Sequence, residues 1–71
     1  MGETINAEII GERLRSLRGD RTQQEIADAV GVTTMAISDY ERGNRVPRDK
    51  YKLALARFFQ TTVEAIFFSP D

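Results

Sequence analysis

The chain has 71 residues, of which 41% are apolar and 30% charged, with a net charge of −1 and neither cysteine nor histidine. A chain of that length holds one domain around one small core. Without Cys there is no disulfide, thiolate nucleophile or zinc–thiolate site, and without His the commonest general base and metal ligand is missing, so no enzyme activity, metal or cofactor is expected.

No apolar run approaches the ~18 residues of a membrane span, and no secretory leader is evident, so a cytoplasmic, bacterial-type setting away from membranes is expected. The near-zero net charge predicts weak non-specific attraction to nucleic acid, but distribution matters more than the sum. All ten basic residues fall within 13–21 and 42–57, while the first twelve residues carry Glu3, Glu8 and Glu12 and no base.

Residues 1–5 and 69–71 read as loose ends. A first helix is predicted from about Asn6 to Arg18, because Ile10, Leu14 and Leu17 recur at i, i+4 and i+7. Gly11 inside it costs up to ~1 kcal/mol against Ala and marks a candidate for close helix contact. Gly19-Asp20 is a stop and turn. Thr22-Gln23-Gln24-Glu25 then has the form of a capping box and opens a second helix. Ile26, Ala27 and Val30 form its apolar stripe. Gly31 stands where the helix must end with positive φ. Val32 can plug the corner, and Thr33 is a good N-cap for a third helix whose inner face holds Ile37 and Tyr40. Two short amphipathic helices joined by this glycine corner make a helix-turn-helix over residues 23–42. Gly43-Asn44 ends the third helix. Pro47 blocks continuation and allows a fourth to start near Arg48 and run to about Phe59, with Tyr51, Leu55, Phe58 and Phe59 in helical spacing. Thr61-Thr62-Val63-Glu64 offers another capping box, predicting a fifth helix over about 63–68, with Val63, Ile66 and Phe67 closing the core. Phe58 or Phe68 is then left with little chain to cover it, either tucked into the core or exposed as a dimer contact.

The stretch from Gln23 to Arg42 resembles the helix-turn-helix of the phage repressor/Cro (xenobiotic-response-element) family. That family places apolar residues where this chain has Ile26, Val30, Val32, Ile37 and Tyr40, a small residue where it has Ala27, and glycine where it has Gly31. The likeness extends to RLRSLR before the motif, TQQEIA at its opening, YERGNRVP at its close and VEAIFF near the end, covering roughly residues 10–68. Two departures are the shortened connection after the first helix and Lys52 at a position often apolar, which rotates the fourth helix's stripe slightly. The resemblance implies an all-α, compact five-helix, lambda-repressor-like fold spanning residues 1–71 as a single domain. The function it implies is sequence-specific binding of double-stranded DNA as a repressor-like transcriptional regulator. Such a regulator is expected to be a homodimer on a palindromic operator, with no small-molecule ligand evident. It also implies a pair between Arg18 and Glu41 with a structural role.

Candidate DNA-binding residues follow. Gln23 matches a family Gln that contacts the DNA backbone, and it sits in a helix's first turn, where free N–H groups attract phosphate; alternatively it is a solvated Gln in a capped turn. Thr33 can touch DNA or serve only as a cap. Thr34, Met35 and Ser38 lie on the outer face of the third helix, the part that enters the major groove in such motifs. This face lacks the Arg and Gln that make bidentate base pairs, so modest direct readout supplemented by DNA shape is expected. Asp39 can accept from a cytosine amino group, or pair with Arg42 or Arg15. Arg42, Asn44, Arg45 and Arg48 lie at the end of the third helix and in the loop after it, where the three arginines are phosphate candidates. The alternative is that the fold serves as a protein-binding module of antitoxin or anti-regulator type, favoured by the acidic N-terminus, the net charge and Asp39.

Overall fold

The computed structural model describes residues 6–68; the predicted loose ends at 1–5 and 69–71 lie outside the described residues. Among these residues there are helices and no strands: α1 (Ala7–Arg18), α2 (Gln23–Val30), α3 (Thr34–Glu41), α4 (Asp49–Phe58) and a short π-type helix α5 (Glu64–Phe68). Three of the first four helices start on side-chain caps that the sequence supplies. Asn6 accepts from the Ile9 amide at 2.9 Å, Thr22 from Glu25 at 3.1 Å, and Thr33 from Ala36 at 3.0 Å. Glu25 returns a bond to the Thr22 amide at 2.8 Å, completing the predicted capping box.

The core is a single cluster. Ile10 and Leu14 from α1, Ile26, Ala27 and Val30 from α2, and Ala36, Ile37 and Tyr40 from α3 meet Leu55 and Ala56 of α4 and Ile66 and Phe67 of α5. Each large apolar side chain removed from water contributes about 1.5–3 kcal/mol. Leu17, Val32, Phe58, Phe59 and Val63 pack against its edge.

The α2–α3 corner turns at Gly31, where φ is +85° and ψ +34°. Its amide and that of Val32 both bond to the Ala27 carbonyl, at 2.9 and 3.0 Å, which closes α2 and sends the chain straight into the α3 cap. A side chain here would cost about 1–2 kcal/mol through backbone strain alone.

Helix α3 lies across α1 with no room between them. A Cβ placed on Gly11 would overlap the Glu41 carbonyl oxygen and come within 2.8 Å of the Tyr40 carbonyl oxygen. Gly11 is therefore the predicted point of close approach.

The C-terminal part departs from expectation in two ways. Helix α4 ends with Gln60 at φ +58°, the one non-glycine residue in the left-handed region among those described. Gln60 donates to the Arg57 carbonyl at 3.1 Å and Thr61 to the Ala56 carbonyl at 2.9 Å, the paired bonds of a Schellman ending. This consumes the Thr61 amide, which the expected Thr61/Glu64 capping box would have given to Glu64. The cap moves one residue on: Thr62 accepts from the Ala65 amide at 3.0 Å. Arg13 closes the turn by donating to the carbonyls of Ala65 and Ile66 at 2.8 and 3.2 Å.

Lys52 is absorbed rather than displaced. Its side chain is only 12% exposed, with its ammonium 3.7 Å from Asp49 and 5.7 and 5.0 Å from the ring centres of Phe67 and Phe68. The stem covers apolar surface while the charge rests on the ring faces. Phe58 is half-buried, edge-on to Phe59 with centroids 5.1 Å apart and the Arg21 guanidinium 5.2 Å above it. Phe68 is left 39% exposed.

Two stability changes are expected. Gly11→Ala, despite alanine's higher helix propensity, should cost about 1–3 kcal/mol by forcing α1 from α3, read as a lower midpoint in thermal or urea unfolding. Gln60→Gly should raise that midpoint by the equivalent of about 0.5–1 kcal/mol, because it removes the left-handed strain and keeps both capping bonds. An unchanged or lower midpoint for the second variant would show that Gln60 is not strained.

Candidate functional site

Helix α3 divides cleanly. Ala36, Ile37, Tyr40 and Glu41 point inward and are buried; Met35 is 65% exposed, and Thr34, Ser38 and Asp39 are half-buried on the outer side. Ile37 and Tyr40 form the inner face as predicted, so the thioether of Met35 is not core filling.

The buried Glu41 holds α3 in place. It is 5% exposed, and its carboxylate takes the Arg18 guanidinium in a fork: Nε to Oε2 at 2.7 Å and Nη2 to Oε1 at 3.1 Å. This is the expected pair, and hydrogen bonding to Glu41 is what chiefly raises the Arg18 pKa above its ordinary value. A third donor was not foreseen: Gln23 Nε2 reaches Oε1 at 3.0 Å. One carboxylate thus joins α1, α2 and α3, and Arg18 also donates to the Arg21 carbonyl at 3.0 Å, bracing the short α1–α2 connection. Gln23 consequently turns its amide nitrogen inward. At the surface it offers the backbone N–H at the start of α2.

On the outer face, Thr33 is exposed and its oxygen accepts the cap bond from Ala36. Thr34 donates its hydroxyl proton to Gln24 Oε1 at 2.6 Å, and Gln24 Nε2 donates to Asp28 Oδ1 at 2.7 Å. Gln24 was not singled out in the sequence. The available signal was the Gln–Asp spacing of i, i+4, a pairing that favours a helical hydrogen bond; its reach to Thr34 depends on the crossing of α2 and α3.

Asp39 lies 3.5 Å from Arg42 Nη2 and 4.0 Å from Arg45 Nη1. Its partners are these two arginines; Arg42 was anticipated, while Arg45 replaces the alternative of Arg15. Partly exposed pairs of this kind contribute about 0–1 kcal/mol, so their effect is chiefly to orient the guanidinium groups. The chain leaves α3 through another Schellman ending, with Asn44 donating to the Asp39 carbonyl at 2.9 Å and Gly43 to Tyr40 at 3.3 Å. Asn44, Arg45 and Arg48 are all exposed, and Arg48 occupies the N-cap position of α4.

The three arginines differ in their surroundings. Arg42 borders a shallow depression with Glu8, Glu12, Arg15 and Asn44. Arg45 and Arg48 border another with Tyr40, Val46 and Tyr51, which has no acid in its wall. The Arg45 guanidinium lies 5.8 Å from the Tyr40 ring centre. Burial raises the Tyr40 phenol above its usual range, with Arg45 opposing. Of the sequence-selected residues, Thr33, Met35, Arg42, Asn44, Arg45 and Arg48 are exposed and Thr34, Ser38 and Asp39 half-buried, while the Gln23 side chain is turned to Glu41. No cluster of His, Cys, Asp or Glu able to hold a metal occurs among the described residues, and none of their helices is long and apolar enough to cross a membrane.

Breaking the Arg18–Glu41 pair should be costly because it strands a buried charge. Arg18→Ala, which leaves the buried Glu41 carboxylate without its cation, is expected to lose about 3–5 kcal/mol in denaturant unfolding, and Glu41→Ala, which leaves the 22% exposed Arg18, is expected to lose less. The double charge swap Arg18→Glu with Glu41→Arg should be more stable than either single swap. Additive losses in that cycle would mean the pair does not act as a unit.

A helix-turn-helix domain family matches residues 9–66. Among solved structures, the P22 c2 repressor in complex with a synthetic operator is 30% identical, with a TM-score of 0.83 over 87% of this chain and 97% of that one. The solution structure of the P22 c2 repressor DNA-binding domain is 31% identical, with a TM-score of 0.78 over 87% and 84% of the two chains. The clp gene regulator ClgR of Corynebacterium glutamicum is 27% identical, with a TM-score of 0.77 over 84% of this chain and 66% of that one. No curated protein sequence matches.

Proposed function

The chain belongs to the helix-turn-helix domain family, and on that premise we propose that it binds double-stranded DNA sequence-specifically as a small, repressor-like transcriptional regulator. The observation that carries the proposal is the outward set on α3: Met35 is 65% exposed, with Thr34 and Ser38 beside it, while the apolar side of the same helix is buried. The fold and family are those of DNA-binding regulators rather than of enzymes. The P22 c2 repressor, similar over most of both chains, is seen bound to an operator.

The roles divide by chemistry. Thr34, Met35 and Ser38 enter the major groove, where hydroxyls meet polar base edges and the Met35 thioether rests on thymine methyl groups. The exposed cap hydroxyl of Thr33, the backbone N–H of Gln23, and Asn44, Arg45 and Arg48 follow the phosphates. Arg42 contributes less than Arg45 and Arg48 because Glu8 and Glu12 share its depression. Asp39 aligns Arg42 and Arg45 rather than reading a base. With its carboxylate engaged by two arginines, Asp39 is no free acidic feature of a protein-docking face.

The 71 residues act as one domain. As a homodimer they place two α3 helices in successive major grooves about 34 Å apart on a two-fold-symmetric operator. Occupying a promoter in this way excludes or recruits polymerase without any catalytic step, in the cytoplasm of a bacterium.

Selection from a random DNA pool, followed by binding titrations at several salt concentrations, tests this. A palindromic consensus is expected, with affinity falling steeply as salt rises through counterion release. Met35→Ala should cost about 1–3 kcal/mol on the selected site and nothing on random DNA. Arg45→Ala and Arg48→Ala should weaken both equally and each reduce the salt slope by about 1. No enrichment from the pool, or a salt-independent affinity, would refute the reading.

A further inference from the structure

The two neighbouring threonines at the start of α3 are wired with opposite polarity. Thr33 accepts the Ala36 N–H through its side-chain oxygen at 3.0 Å, so its hydroxyl proton remains available to an outside acceptor. Thr34 is constrained in the other sense. Asp28 carries a carboxylate, which only accepts, so the Gln24 group lying 2.7 Å from it is the amide nitrogen. That fixes which way the Gln24 amide faces: its carbonyl oxygen is the atom 2.6 Å from Thr34 Oγ1. A carbonyl oxygen also only accepts, so the Thr34 hydroxyl must donate inward. What Thr34 shows to the outside is its lone pairs.

We infer that Gln24 and Asp28 are positioning residues for specificity, which make Thr34 an acceptor that selects the strand carrying the amino group of one base pair. This rests on the reading of the chain as a DNA-binding regulator. The consequence is specific because of how the major groove is built. Every base pair there presents one amino donor, N6 of adenine or N4 of cytosine, while thymine and guanine present carbonyl acceptors. An unconstrained hydroxyl serves either and discriminates poorly. A hydroxyl whose proton is already committed is repelled by a carbonyl oxygen and satisfied by an amino group. Thr34 therefore distinguishes A or C from T or G on one strand, without separating A from C. Asp28 acts at a distance, through the orientation of the Gln24 amide, and neither it nor Gln24 touches a base.

The test compares the binding-site consensus, from a random DNA pool, of the wild-type chain and of Q24L, D28N, T34V and T34S. Gln24 and Asp28 are both exposed, so neither substitution disturbs the core; thermal unfolding of each variant checks this. In the wild-type consensus, one position of each half-site is expected to favour A and C over G and T by about fivefold, the yield of one net hydrogen bond. Q24L frees the hydroxyl and should reduce that ratio to near one, with the rest of the consensus, the affinity for random DNA and the unfolding midpoint unchanged. D28N lets the Gln24 amide turn over and should give an intermediate ratio. T34V should abolish the preference and T34S, which retains the hydroxyl, should keep it.

A wild-type consensus without such a position, or one whose ratio is the same in Q24L and D28N, overturns this inference while leaving the DNA-binding function standing. Failure of the wild-type chain to enrich any sequence overturns both. If one variant does not fold, the other and the T34V/T34S pair still decide the matter.

Discussion

A negative charge inside a domain this small is expensive unless every oxygen is met, and Glu41 meets that requirement with groups from two other helices. Arg18 forks onto both oxygens and Gln23 adds a third bond. Replacing such a network with apolar side chains often leaves stability unchanged or higher, so its contribution lies in orientation. Three helices that meet only through apolar side chains can slide by fractions of an ångström. Three helices that must all satisfy one carboxylate cannot. Because Glu41 closes α3, fixing it fixes the pitch of the whole eight-residue helix. The absence of a Cβ on Gly11, directly beneath the carbonyls of Tyr40 and Glu41, lets α3 settle deeply enough for that bonding to occur.

From this anchoring the polarity of the surface follows. With Ala36, Ile37, Tyr40 and Glu41 inward, helical geometry leaves Thr34, Met35, Ser38 and Asp39 outward. The glycine corner keeps α2 close, near enough for Gln24 to reach across to Thr34. Further along, Asp39 gathers Arg42 and Arg45 at the point where the chain leaves the helix. A chain with a net charge of −1 thereby gathers arginines beside an outer helix face of two hydroxyls and a thioether, whose one charged group, Asp39, is paired with two of those arginines. On the proposed reading, affinity and sequence discrimination fall to different residues: arginines for the phosphates, and the short side chains at the start of α3 for the bases.

Much of this was legible along the chain because the signals are local. Helix periodicity placed Ile10, Leu14, Ile26, Val30, Ile37 and Tyr40 in the core, and the caps at Thr22 and Thr33 and the corner at Gly31 follow from residue chemistry within one helical turn. The Thr61/Glu64 box failed because its signal is local but its outcome was not. Gln60 adopts a left-handed turn to finish α4, and the Thr61 amide is spent there. Nothing in the pattern of residues 59–64 announces that an unbranched polar residue will take a position usually given to glycine. Lys52 shows the same limit, since its burial over Phe67 and Phe68 depends on how α5 folds back.

By itself, then, the amino-acid order determined the apolar residues that build the core, about where each of the first four helices stops, and that one short helix turns Thr34, Met35, Ser38 and Asp39 outward. Those properties depend on interactions spanning three or four residues. What only the tertiary structure decided is the partner of each polar side chain: Gln23 given to Glu41 rather than to the surface, Asp39 to Arg42 and Arg45, and Thr34 to Gln24. Hydrogen-bond partners are chosen by distances between helices, and those distances depend on the depth at which α3 packs onto α1 and α2, which no periodicity encodes.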